Sequence, residues 1–320
     1  SDLKDTVDRE LRSKVKIDGT TRVVGVIGDP VSHSLSPAMH NAAFEALGLN
    51  WVYVAWHVAP EGVESAVNAV RGLCLPGMNV TVPHKKAVIP FLDELSPAAK
   101  AVGAVNTIVN RGGQLLGDNT DVYGILQAIR VGAKMDTVPP VVVVLGAGGA
   151  ARGIVYALTT LPEVKSIRIL NRTLANAEEL AREFGTISAV TAFGLEPHAA
   201  RHALDGCGLL INATNLGRGT LADVSPLPDA WNCIPPRITC IDSNYNPATT
   251  RLMEQVVAAG GIAFNGLDML VYQGARAFEL WTGVKPPVDV MRAAANARLQ
   301  GAPAHLSAGI DRHNQGAHIP

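Results

Sequence analysis

Residues 141–158 read VVVVLGAGGAARGIVYAL. The apolar run at 141–145 reads as a buried strand. Gly146, Gly148 and Ala151 then fit G-x-G-x-x-A directly behind it, and a helical pattern follows. In that setting the first glycine permits the tight turn. The second lets the backbone approach a pyrophosphate, which rests on the helix N-terminus. A strand in front and a helix behind favour dinucleotide binding; a tight strand-to-helix turn with no ligand is the alternative.

The following strand, SIRILNR at 166–172, bears on which dinucleotide. An NAD site usually presents Asp or Glu at this strand end to hold the ribose 2′-hydroxyl. Here the chain reads Asn171-Arg172-Thr173, with no acid before Glu178. An arginine in that place pairs with a 2′-phosphate and stacks on adenine, which favours NADP. The alternative is a solvated arginine at a strand end.

Outward from this stretch, strand and helix signals alternate. TRVVGVIG (21–28), WVYVAWHV (51–58) and MNVTVP (78–83) read as strands. Ser36-Pro37 reads as an N-cap with proline at the first helical position, and Gly48 closes that helix. A second helix is expected from Glu61 to Arg71. NTIVN and QLLGDN flank Arg111-Gly112-Gly113 as a hairpin, and a helix follows over 122–131. Pro139-Pro140 marks a break. Beyond it come a helix at 174–184, strands in SAVTAF, GLLINATN and RITCIDSN, and helices at 249–259, 267–281 and 288–299. The fold class is therefore α/β with two units, the first having a mostly parallel sheet, and a boundary near 120–140.

Hydrophobic residues make up 48% of the 320 and charged residues 17%, a balance that builds packed cores and excludes a disordered chain. The formal net charge of -1 gives no field that gathers nucleic acid. The four cysteines are scattered with no Cys-x-x-Cys pair, so neither a metal site nor a disulfide framework is indicated. No apolar run reaches the roughly 20 residues of a bilayer crossing, and the first twenty residues lack a signal-peptide core. A cytoplasmic location is expected, with no membrane partner. The Gly-, Ala- and His-rich stretch over 301–320 is expected to be a flexible tail.

Polar side chains cluster in the first unit. Ser34 and Ser36 stand two apart, so an extended approach to the helix points both hydroxyls at one ligand; Ser36 serving only as a cap is the alternative. Asn79, Thr81 and Lys85 flank Pro83 at a strand end, where open parallel sheets bind ligands. The Lys85-Lys86 pair also fits a solvated face. GAVNT places Asn106 among small residues. GDNTD places Asp121 just before a helix, where an N-cap is an equal alternative.

HSLSPAMHNAAF, GMNVTVPHK, GAVNT, GDNTD, GAGGAARG, NRT, INAT and NGLDMLVYQGARAFELW follow in this order. Together they resemble shikimate dehydrogenase over residues 22–292. The resemblance implies NADPH-dependent, reversible reduction of 3-dehydroshikimate to shikimate in aromatic amino-acid biosynthesis. It implies a substrate-binding catalytic domain from residues 1–120 and 266–300, and a Rossmann-like NADP domain from 121–265. It also implies a small-molecule substrate, no nucleic-acid partner, and a monomer or homodimer.

Carried over position by position, Lys85 is the general acid/base and Asp121 its partner. Ser34, Ser36, Thr81, Asn106, Tyr245 and Gln273 are implied as substrate contacts. Gly146, Ala147, Gly148, Gly149, Ala150, Asn171, Arg172, Thr173, Ser243 and Gly266 are implied as cofactor contacts. Two positions depart from the family. Its NADP motif commonly carries Arg or Lys where Asn176 stands, and it usually has glycine where Val122 follows Asp121. Both departures keep open a quinate/shikimate dehydrogenase that uses NAD or NADP. A non-catalytic sensor of shikimate-like ligands is the other alternative, and retention of Lys85 and Asp121 argues against it.

Overall fold

β1 (Arg22–Gly28) pairs in parallel with β2 (Trp51–His57) on one side and β3 (Gly77–Val80) on the other. β4 (Glu94–Leu95), β5 (Thr107–Arg111) and β6 (Gln114–Asp118) complete a six-stranded sheet in the order β2-β1-β3-β5-β6-β4. β3 to β5 and β5 to β6 run antiparallel, the latter as the expected hairpin, and β4 runs parallel to β6. The sheet is therefore mixed, and only the β5–β6 pair is joined by a short turn. The computed structural model describes residues 17–228 and 231–301.

Helices cover this sheet with faces set by 3.6-residue spacing. Helix Val63–Gly72 buries Val63, Val67 and Val70. These pack in one core with Ile27, Met78, Val80 and Ile108. Helix Ser36–Ala46 buries Met39, His40, Ala43 and Phe44. Phe44 meets Trp51 of β2 at a ring separation of 5.5 Å.

The second sheet is wholly parallel: β7 (Val141–Leu145), β8 (Ser166–Asn171), β9 (Val190–Gly194), β10 (Leu209–Asn212), β11 (Thr239–Asp242) and β12 (Ile262–Phe264). Its order is β12-β11-β10-β7-β8-β9. β7 therefore starts the doubly wound pattern of dinucleotide-binding sheets, in which the order reverses beside it. Val142 to Leu145 are almost fully buried, as a central parallel strand covered on both faces requires.

The chain divides into two compact units. The first gathers the described residues up to Ala128, together with Arg152–Thr160 and Asp268–Ala295. The second gathers the described residues of Ile129–Ala151 and Leu161–Leu267 and those from Asn296 to Gly301. Helix Leu267–Thr282 thus joins the first unit almost entirely, and Trp281 Nε1 donates to the Ile108 carbonyl of β5 at 3.0 Å. The tail expected over 301–320 lies outside the described residues, apart from Gly301.

Several local expectations need correction. Ser36 is not a side-chain cap: Leu35 holds the N-cap position, no side chain caps the helix, and Ser36 is its first residue. The stretch 78–83 forms strand only as far as Val80; Thr81 still donates to the Ile27 carbonyl, and the chain then turns through His84. The helix expected over 122–131 is α-helical over Asp121–Gln127 and widens to a π-helix at Ala128–Gly132. Helices Pro97–Val102 and Pro197–Leu204 and strands β4 and β12 carried no periodic signal strong enough to read.

Candidate active site and cofactor cradle

Lys85 lies just past the end of β3, and its carbonyl accepts from Val105 N at 2.8 Å, which pins the loop. Its Nζ donates to Asp121 Oδ2 at 2.6 Å. Both side chains are partly covered, 29% and 24% exposed, so the pair is neither buried nor freely solvated. Lys86, by contrast, is exposed. The solvated-pair reading therefore applies to Lys86 and not to Lys85.

Asp121 opens helix Asp121–Gln127, but Thr120 holds the N-cap position. The Asp121 carboxylate binds side chains and not helix amides, which removes the capping alternative. Its second oxygen, Oδ1, accepts from Asn106 Nδ2 at 3.0 Å. Asn106 Nδ2 also lies 3.3 Å from Gln273 Oε1 on helix Leu267–Thr282. Lys85, Asn106, Asp121 and Gln273 thus form one connected polar group within the first unit.

Ser34 and Thr81 are half-buried and Ser36 is buried. The Ser34 hydroxyl accepts from Ser36 N at 3.2 Å, so the serine that shapes the turn is Ser34. Thr81 Cγ2 fills the space where a side chain on Gly28 would stand. Gly28 in β1 must therefore be small for Thr81 to sit at the strand ends. Tyr245 belongs to the second unit, and burial raises its phenol above the ordinary value with Arg218 opposing. No direct hydrogen bond joins Ser34, Ser36 or Thr81 to the Lys85 group among the described residues.

Behind this group lie further buried polar residues, of which the sequence singled out only Asn79. Tyr53, Asn79, Thr107 and Thr120 are at most 6% exposed and hydrogen-bonded to one another or to Asn106. Burial pushes the Tyr53 phenol well up, opposed by the Ser36 side chain. His40 stacks on Tyr53 at 4.3 Å, and neither ring nitrogen has a partner. Burial alone lowers its pKa from 6.5 to about 3, so it is neutral. Asn79 carried a signal in its place near a strand end; buried Thr107 and Thr120 carried none, since threonine is ordinary in strands and turns.

In the second unit, Gly146 follows β7 with φ +103, a left-handed backbone that favours glycine. Its N–H donates to the Leu170 carbonyl at 2.7 Å. Gly148, Gly149 and Ala150 are exposed and Ala147 half-buried, and no atom lies within 4 Å of where a side chain on Gly148 or Gly149 would point. Helix Gly149–Thr159 begins there. An open backbone at a helix start leaves amides free for a diphosphate, so these residues fit a dinucleotide.

At the end of β8, Asn171 Nδ2 donates to the Thr173 carbonyl at 2.8 Å and shapes the turn. Arg172 and Thr173 are exposed, and Arg172 makes no hydrogen bond or ion pair among the described residues. Asn176 is exposed on the helix that follows. Ser243 and Gly266 lie side by side: a side chain on Gly266 would run into the Ser243 carbonyl. This close approach rests on buried Asp242, which accepts from Asn212, Asn244 and Thr250. Burial raises the Asp242 pKa, and those hydrogen bonds oppose the rise.

Comparison with known proteins follows the same division. Residues 26–108 match the model of the shikimate dehydrogenase substrate binding domain. Residues 134–215 match that of shikimate / quinate 5-dehydrogenase, and 266–295 that of the shikimate 5′-dehydrogenase C-terminal domain. The chain is 46% identical over 282 residues to shikimate dehydrogenase (NADP(+)) of Methanopyrus kandleri, covering 88% of this chain and 97% of that protein. The Thermus thermophilus enzyme, solved with NADP(H) and shikimate, superposes with a TM-score of 0.76 at 38% identity over 87% of this chain and all of that one. The Listeria monocytogenes enzyme, solved with shikimate and NAD, gives 0.82 at 37% identity over 87% of this chain and 97% of its own. A glycine turn, an arginine at the second strand end, a lysine–aspartate pair and relatives of this closeness lead to one conclusion: the chain belongs to the shikimate dehydrogenase family.

Proposed function

We propose that this protein is an NADP-dependent shikimate dehydrogenase interconverting 3-dehydroshikimate and shikimate. The observation that carries the reading is the Lys85–Asp121 pair, 2.6 Å apart and held from behind by Asn106. Bound NADPH supplies the hydride. As the ketone is reduced, negative charge develops on its oxygen, and Lys85 Nζ donates the proton there. Asp121 keeps the ammonium in place, and the pair takes the proton back in the oxidative direction. A positioned proton donor of this kind contributes about 10²–10⁴-fold.

Ser34, Ser36, Thr81, Asn106, Tyr245 and Gln273 bind the substrate's hydroxyls and carboxylate, since a polyhydroxylated acid needs many small hydrogen-bonding groups. Gly146, Ala147, Gly148, Gly149 and Ala150 cradle the diphosphate. Asn171, Arg172 and Thr173 hold the adenosine end, and Ser243 and Gly266 the other end. Residues 1–120 and 266–300 serve as the substrate domain and 121–265 as the NADP domain. The enzyme acts in the cytoplasm, in aromatic amino-acid biosynthesis, as a monomer or homodimer.

A second reading, quinate oxidation with NAD, is favoured by one feature: Asn176 stands where a second phosphate-pairing cation is common. Initial rates of the purified protein with shikimate or quinate, each with NAD or NADP, separate the two. The proposal expects shikimate with NADP to be the best pairing. A preference for quinate with NAD would replace it with the second reading.

A further inference from the structure

We propose that Thr107 and Asn79 are positioning residues that hold Asn106 against Asp121 through a directional chain of buried hydrogen bonds. The inference rests on the reading of Lys85 and Asp121 as the proton-handling pair.

Direction in this chain follows from which groups are able to donate. Tyr53 on β2 has a single hydroxyl hydrogen, and it donates to Asn79 Oδ1 at 2.8 Å. The oxygen of the Asn79 amide is thereby committed. Its Nδ2 must donate, and it does so to the Asn106 carbonyl and to Thr107 Oγ1, each at 3.0 Å. With one lone pair of Thr107 occupied, its hydroxyl stands 3.1 Å from Asn106 Oδ1 and 3.1 Å from Thr120 Oγ1, bridging the two. The backbone N–H of Thr120, which can only donate, meets the same Oδ1 at 2.7 Å. That N–H commits Oδ1 as an acceptor, which leaves one arrangement for Asn106, and the Thr107 hydroxyl packs against the same oxygen. Its Nδ2 faces Asp121 Oδ1, and Asp121 Oδ2 is left for Lys85.

The chain is out of water throughout. Thr107 is 0%, Tyr53 1% and Asn79 6% exposed. Hydrogen bonds in such a setting are costly to leave unmade, so the arrangement is rigid. Neither Asn79 nor Thr107 hydrogen-bonds to Lys85 or Asp121, and Asn106 carries their influence. The consequence is specific to the reaction. A site needs its proton donor fixed to within a few tenths of an ångström when charge develops, and less strictly when substrate merely binds.

A crossed pair of variants tests this in the full-length protein. Thr107→Val keeps the methyl group and removes the hydroxyl. Thr107→Ser keeps the hydroxyl and removes the methyl group. Both are assayed for shikimate oxidation with NADP, at a temperature where circular dichroism shows each fully folded. Thr107→Val is expected to lower kcat roughly tenfold, the size of one lost buried hydrogen bond, with KM for shikimate within about threefold. Thr107→Ser is expected to stay within about twofold of wild type.

If activity follows the methyl group, so that Ser is the worse variant, the role is packing and the proposal falls. A Val variant with wild-type kcat also overturns it. Should Thr107→Val fail to fold, Tyr53→Phe removes the first donor with the ring retained; a several-fold fall in kcat supports the chain and an unchanged kcat refutes it. Lys85→Ala is run alongside. Lost turnover in Lys85→Ala with a normal Thr107→Val defeats only the positioning role, whereas normal turnover in Lys85→Ala defeats the reading beneath it.

Discussion

Arg172 stands exposed at the end of β8 with no partner among the described residues, so its guanidinium is available to a phosphate. A guanidinium pairs with a phosphate through strong charge-assisted hydrogen bonds. Arg172→Ala is expected to raise KM for NADP about tenfold and to leave KM for NAD within about twofold, read from initial rates with each cofactor. Equal effects on the two would remove the basis for the NADP preference. At the same scale, His40 makes a prediction about pH. Its folded pKa is about 3 against an ordinary 6.5. Between those values the unfolded chain binds a proton that the folded chain does not. Stability from this source is complete above pH 6.5 and lost as pH falls toward 3, by up to about 1.4 kcal/mol per pH unit. His40→Phe, which loses no hydrogen bond because the ring nitrogens make none, is expected to flatten that slope in urea unfolding. A slope parallel to wild type would contradict it.

Helix Asp121–Gln127 and helix Leu267–Thr282 touch at Gly124. A side chain there would begin 2.6 Å from the Met269 carbonyl and 3.0 Å from Gln273 Cβ. The contact lets Asp121 and Gln273, one from each helix, share Asn106. Gly124→Ala forces the helices apart. The expected result is a loss of about 1–3 kcal/mol in unfolding free energy, as for other overpacked contacts, with a several-fold rise in KM for shikimate. Wild-type values of both would show that the close approach is dispensable. The glycine was visible in the sequence, but inside a helical stretch it reads only as a weak point. Its reason lies in a neighbour more than a hundred positions away, which no local pattern encodes. Helix Leu174–Phe184 is the contrary case: its strong 3.6-residue periodicity made both ends readable.

For the whole molecule, the same distinction separates what was legible. The second sheet was readable because β7, the glycine turn and the helix behind it are consecutive, and each has a local physical signature. The site of the first unit was not readable from spacing. Lys85 and Asp121 are 36 positions apart, and Asn106 and Gln273 are 167 apart. A solvated lysine pair and an N-capping aspartate are ordinary outcomes for those local sequences, and the family resemblance, not spacing, singled the two residues out. Val122, expected to stand beside the acid, is a buried helix residue at 7% exposure. Folding brings the polar group together from the end of β3, the β5–β6 hairpin, helix Asp121–Gln127 and helix Leu267–Thr282. The proposed reaction depends above all on Lys85 as the proton donor. Turnover and shikimate Kd of Lys85→Ala, measured on the same folded preparation, test it most directly. The account predicts a kcat reduced by about 10²–10⁴-fold with Kd changed only a few-fold; near-normal turnover would contradict it.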